Sequence, residues 1–245
     1  MDNGRPHNNN HLNLYIEMEK KFRFKFSKTG EYKYFSHLDV ISIITRAIRR
    51  AKIRLKYSEG FNPRPKISFG PPTPLGIESR AEYCDIIVVD EISEEDLALR
   101  LNDQLMKNIM INTVREAPTG TKNLMSQADL IEYSIYIRGM DPVSGSPGKL
   151  AEQVGGTAEF EGSIYDINSG GSVEDGEGSI LKLSGYAKIC KDRNSKVFKL
   201  MNFLECFKGI LIPCGLIIEK VIKEELYILK ERKKVTPFEI LQFYV

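Results

Sequence analysis

An α+β fold is predicted by three features of this 245-residue chain. Phe22-Arg23-Phe24-Lys25-Phe26 alternates like a strand, Ile41, Ile44, Ile48 and Ala51 recur at helical spacing behind Ser36 and Asp39, and the two patterns keep alternating as far as residue 116. Alternation puts Phe22, Phe24 and Phe26 on one strand face and Arg23 and Lys25 on the other. A turn at Lys28-Thr29-Gly30-Glu31 follows. Ser36 then has the character of a helix N-cap, with Asp39 three residues on to complete a capping box and to place negative charge at the positive helix end. At 100° per residue, Arg46, Arg49 and Arg50 fall opposite the isoleucine face.

After Gly60 a loop rich in proline (Pro63, Pro65, Pro71, Pro72, Pro74) is interrupted by a short strand at 66–69. Residues 81–89 predict a strand, 93–107 a helix capped by Ser93, and 109–116 another strand. The order strand, helix, strand, strand, helix, strand is that of a ferredoxin-like antiparallel sheet with both helices on one face.

A second, smaller α+β unit follows, and a tandem ferredoxin-like arrangement is open to it. Residues 130–137 and 180–189 alternate as strands, 197–207 predict a helix, and 216–230 one or two further strands. Residues 139–178 hold 10 of the 19 glycines and predict a mobile insertion or hairpin loop outside the core. Residues 230–234 form a charged turn ahead of a short final helix with Pro237 at its first position. Domain bounds are therefore a flexible extension at 1–19, the ferredoxin-like unit at 20–127, and the second unit at 128–245.

The net charge of +2 conceals a strong asymmetry. Residues 20–66 carry 14 Lys or Arg against Glu31, Asp39 and Glu59, a local +11, so the remainder sums to −9. A localised basic face for an anionic partner is the expectation. Cys84, Cys190, Cys206 and Cys214 match no zinc or disulfide spacing, which predicts reduced thiols and neither metal nor cofactor. No apolar run approaches the roughly 18 to 20 residues of a membrane span, and the first residues lack a signal-peptide core, so a cytoplasmic protein without membrane contact is expected.

Several residues between Ser36 and Gly76 are candidates for function. His37 beside Asp39 is the candidate catalytic pair, a general acid/base with its carboxylate; alternatively Asp39 only caps the helix. Arg46, Arg49, Arg50 and Arg54 lack the glutamates that usually interleave a solvated helix face, and their forked guanidinium groups suit phosphate oxygens. Tyr57, Phe61 and Arg64, with Lys66, offer planes for unpaired bases and charge for phosphates; the other reading is a rigid loop plugging the core. Glu82 and Asp85 point to opposite faces of their strand, so they form no carboxylate pair, and one of them is expected to partner Arg50 or Arg64.

The segments Phe35-Ser36-His37-Leu38-Asp39, Arg46-Ala47-Ile48-Arg49-Arg50-Ala51, Tyr57-Ser58-Glu59-Gly60-Phe61-Asn62-Pro63-Arg64-Pro65, Pro74-Leu75-Gly76, and Glu82-Tyr83 through Asp85 resemble the radical SAM-linked (radical SAM-associated) family. This bacterial domain of unknown function occurs alone or fused behind a B12-binding radical S-adenosylmethionine enzyme. The resemblance spans about residues 22–137 and is loose beyond Gly139. It implies a standalone accessory module for such an enzyme, with RNA or a ribonucleoprotein as a further partner, because the family's genes sit beside ribosome- and RNA-related ones. The chain has no three-cysteine motif to hold an iron–sulfur cluster, so it is not expected to run the radical reaction itself. Three functions stay open: a non-catalytic binding module, an RNA-processing enzyme using His37, and a protein-docking adaptor.

Overall fold

The computed structural model describes residues 19–118, 120–139, 164–175, 178–189 and 200–244. The expected flexible extension, apart from Glu19, and residues 140–163 and 176–177 of the glycine-rich stretch lie outside them. Among the described residues the elements are β1 (Lys20–Lys28), α1 (His37–Arg50), β2 (Ile67–Phe69), β3 (Glu78–Val88), α2 (Glu94–Asn102), β4 (Ile109–Ala117), α3 (Leu124–Gln127), β5 (Leu130–Gly139), β6 (Ile164–Asp175), β7 (Gly178–Lys188), α4 (Leu200–Leu211), β8 (Leu216–Lys230) and β9 (Lys233–Val235). The fold is mixed α+β, with strands in the order β4-β1-β3-β8-β5-β7-β6, β2 on β3 and β9 on β8.

β1 pairs antiparallel with both β3 and β4, and β2 pairs antiparallel with β3. β3 meets β8 in parallel over just Glu78–Ile222 and Ser79–Lys223. This short contact carries the sheet across the 127/128 boundary.

Two cores form, and β3 feeds both. Its Cys84, Ile86 and Val88 join Phe22, Phe24 and Phe26 with Ile43, Ile44 and Ile48 of α1 and Leu97 and Leu101 of α2. Its Ala81 and Tyr83, on the opposite face, join Tyr133, Ile135, Leu183, Phe203, Leu204 and Phe207. The three β1 phenylalanines are fully buried, each gaining about 1.5 to 3 kcal/mol by leaving water.

Several predicted details shift for local reasons. α1 buries Val40, Ile43, Ile44, Ala47 and Ile48, while Ile41 is only partly covered, so the inward face is rotated from the expected one. α2 stops at Asn102 because that side chain turns to the neighbouring strand, donating to Ile111 O at 2.9 Å and accepting from Ile111 N at 2.8 Å. The stretch 216–230 is one continuous strand. The final helix is a 3-10 turn, Glu239–Phe243, opened by reciprocal bonds between Thr236 and Glu239.

Asp85 and Glu82 take partners other than those expected. Asp85 holds Arg23 through two hydrogen bonds, 2.7 Å from Nε and 3.0 Å from Nη2, with Lys21 Nζ also at 3.0 Å. Glu82 accepts from Thr73 and lies 3.3 Å from Lys223 Nζ, which also donates to Pro71 O at 2.9 Å. Neither carboxylate reaches Arg50 or Arg64, because β3 is a central strand and acids on it are met by cations of its sheet neighbours. Lys28 is buried near Glu82 and donates to Phe35 O at 3.4 Å; burial holds its ammonium below the usual lysine range.

α1 ends with paired backbone bonds, Ile53 N to Ile48 O at 3.2 Å and Lys52 N to Arg49 O at 3.1 Å. This closure puts Lys52 at φ 55°, where a side chain is strained. Lys52→Gly should raise the urea midpoint at unchanged m-value, adding about 1 kcal/mol. Asp85→Ala, by leaving Arg23 charged at 0% exposure, should cost about 3 to 5 kcal/mol in the same measurement. The double replacement Arg23→Met with Asp85→Leu should cost less than Asp85→Ala alone.

Candidate nucleic-acid interface

Of the 14 cations of residues 20–66, Lys33 lies over the Tyr34 ring and the other 13 divide into two populations. Lys20 pairs with Glu116, Lys21 and Arg23 with Asp85, Lys25 with Glu225, Arg54 with Asp90 and Lys56 with Glu19, while Lys28 is buried. Their acids come mostly from β3, β4 and β8, far along the chain, so a local charge count overstates what faces solvent. What remains outward is concentrated between Arg46 and Lys66. Among the described residues, Arg46, Arg49, Arg50, Lys52, Arg64 and Lys66 are exposed and have no carboxylate at ion-pair distance.

α1 is fixed by its cap. Ser36 Oγ accepts from Asp39 N at 3.2 Å and donates to Asp39 Oδ2 at 2.7 Å, and Ser36 N donates to the same oxygen at 2.9 Å. These Ser36 bonds hold the Asp39 carboxyl below the usual carboxylate range. His37 packs its ring edge to face on Phe69, centroids 5.6 Å apart. The structure thus brings His37 and Asp39 to the same helical turn, with Asp39 engaged by the cap. The proline loop reaches the segment before the helix, where Gly76 N donates to Lys33 O at 2.9 Å.

The arginines occupy the far end of the same helix. Arg46 bonds Ser42 O at 3.1 Å along the helix, and Arg50 reaches Gln104 O at 2.6 Å. Arg49 and Arg50 lie in the last turn, where the helix dipole favours positive charge. Arg54 differs from the expected free phosphate ligand, since its Nε lies 2.5 Å from Asp90 Oδ1.

From the end of α1 the chain enters a projecting arm. Its base is sewn to β3 by Val89 N to Arg54 O at 3.0 Å, Lys56 N to Ile87 O at 2.8 Å and Ile87 N to Lys66 O at 3.2 Å. Its neck is closed by Lys66 N to Lys56 O and Ser58 N to Arg64 O, both 2.8 Å, and by Arg64 N to Ser58 Oγ at 3.0 Å. A bonded neck lets the tip stand out without support from a core. Phe61 at that tip is fully solvated and Tyr57 is half exposed, so neither plugs a gap in the interior. The exposed cations and the two aromatic rings are therefore contiguous in the chain, running from the last turn of α1 into the arm.

Lys52 belongs to this surface although no motif in the sequence marks it; its exposure follows from the left-handed turn that ends α1. Planar guanidinium groups and solvated rings at a protein edge can hold phosphates and stack bases.

Among curated proteins, none matches the chain in sequence. The family described as "uncharacterized protein conserved in bacteria" (DUF2344) matches residues 21–161, a stretch that contains α1, the arm and β3 whole, and the chain belongs to that family.

Proposed function

We propose that the chain is a non-catalytic binding module that holds RNA on the surface running from the arginines of α1 to the arm. The observation that carries this reading is the set of six exposed cations between Arg46 and Lys66 that have no carboxylate partner among the described residues, in a stretch that includes a fully exposed Phe61. A solvated helix face would interleave acids at four-residue spacing, and a core plug would bury its phenylalanine. Phosphates satisfy the cations, and unpaired bases give the rings a partner.

The resemblance to radical SAM-linked proteins supports a radical S-adenosylmethionine enzyme as the protein partner, with this module presenting the RNA. The ferredoxin-like reading of the first six elements is supported by their order and by the sequence β4-β1-β3-β2 of antiparallel neighbours.

Titration of the full chain with tRNA and structured rRNA fragments should show affinity that falls steeply with salt. Arg46→Ala, Arg49→Ala and Arg64→Ala combined should weaken binding and lower the slope of log K against log salt by roughly 2 to 3, at an unchanged unfolding midpoint. His37→Ala should leave affinity unchanged, since its ring packs on Phe69 at the start of α1, whereas Arg49 and Arg50 lie in its last turn. Salt-insensitive binding, or none, sinks the proposal. Recovery of a radical S-adenosylmethionine enzyme from native cells, with and without ribonuclease, checks the partner.

A further inference from the structure

The second half of the sheet turns a different surface to solvent, and its side chains form cross-strand rows of tyrosine and lysine. Along β5, Tyr133, Ile135 and Ile137 enter the core that contains Phe203 and Phe207 of α4, so Glu132, Ser134 and Tyr136 lie on the other face, where Glu132 and Tyr136 are partly exposed and Ser134 between them, with Ile222 opposite, is buried. Tyr136 stands in register between Lys182 of β7 and Lys220 of β8, whose ammonium groups lie 5.9 and 4.6 Å from its ring centroid. Four residues back, Glu132 stands opposite Tyr186. The Tyr186 ring meets that of Tyr227 at 5.8 Å, and the Tyr227 hydroxyl donates to Glu132 at 3.0 Å. Lys234 of β9 sits 3.5 Å from the Tyr186 centroid. At about 3.3 Å per residue the two rows are about 13 Å apart. All three rings are partly exposed.

Among the described residues, Lys182, Lys188, Lys220 and Lys234 share this face with Glu132, which accepts from the Tyr227 hydroxyl, and with Glu225, which stands opposite Glu132 and pairs with Lys25, so cations outnumber carboxylates there. Each ring carries an ammonium over its face, so a base that stacks there takes the place of the ammonium, which then meets the neighbouring phosphate. We propose that this face binds single-stranded RNA, with bases stacked on Tyr136 and Tyr186 and backbone phosphates held by Lys182, Lys220 and Lys234. The inference rests on the RNA reading above and adds to it a second surface.

The full chain, titrated with a labelled oligouridine and with a duplex of equal length, tests it. With 11 tyrosines and no tryptophan, the chain also reports stacking through its own tyrosine emission. Oligouridine should quench that emission. Tyr136→Ala and Tyr186→Ala should each weaken oligouridine binding by about tenfold or more and leave duplex binding as it was. Tyr136→Phe should bind as the parent does. Lys182→Ala and Lys220→Ala should each lower the salt slope for oligouridine by about 0.7. Parent-like oligouridine affinity in both tyrosine-to-alanine variants, at parent unfolding midpoints, overturns the inference. The combined Arg46, Arg49 and Arg64 variant separates the two proposals. If only that variant loses RNA, the α1 surface stands and the sheet face fails; if only the tyrosine variants lose it, the reverse holds.

Discussion

The bidentate pair between Arg23 and Asp85, sealed from water, is the contact on which the rest of the arrangement depends. It joins the two central strands of the first half, and Arg23 also donates to Pro237 O at 2.8 Å and to Lys122 O at 3.4 Å. One side chain therefore fastens β1 to β3, to the segment leading into β5, and to the C-terminal turn. Taking two ions out of water is costly, and their attraction roughly offsets that cost only when most donors are used. The carbonyls of Pro237 and Lys122 take two more, so four of the five N–H donors of Arg23 are engaged. This explains how a strand with cations on one face can lie inside a sheet.

The same pairing decides which charges are left for function. Had the cations of β1 faced solvent, the basic surface would have spread over the whole first unit. Because β3, β4 and β8 supply acids to β1, the unpaired charge retreats to α1 and the arm. The cluster of Lys28, Lys223 and Glu82 follows the same logic with two cations to one carboxylate, balanced by the carbonyls of Phe35 and Pro71. Charge near the sheet holds the fold together; charge near the arm faces outward.

Much of this was legible in the sequence because it is local. The strand at Phe22, the capping box at Ser36, the cap at Ser93 and the sequence of elements through 116 depend on residues a few positions apart. The partners of Asp85 and Glu82 were not legible, because β1 and β8 are brought to β3 by topology and not by spacing. The break in α2 depended on a side-chain bond from Asn102 to the next strand. Among the site residues, the outward placement of Arg46 and Arg49 could be read from the helical wheel, whereas the sequence left Phe61 open between an exposed ring and a plug in the core. The pairing of Arg54 with Asp90 could not, since the two residues lie 36 apart.

β8 occupies an unusual place for a strand so late in the chain, between β3 and β5 and hydrogen-bonded to both. Biosynthesis proceeds from the N-terminus, so β4, β1 and β3 can assemble while residues 216–230 are still being made. β5 by then has emerged with one edge open, and that edge stays open until β8 arrives. The match to the family ends at residue 161, inside this waiting period. Closing the sheet requires the ends of a long stretch of chain to meet. In the cell, the slowest and most aggregation-exposed moment of this protein should fall between the synthesis of β5 and that of β8.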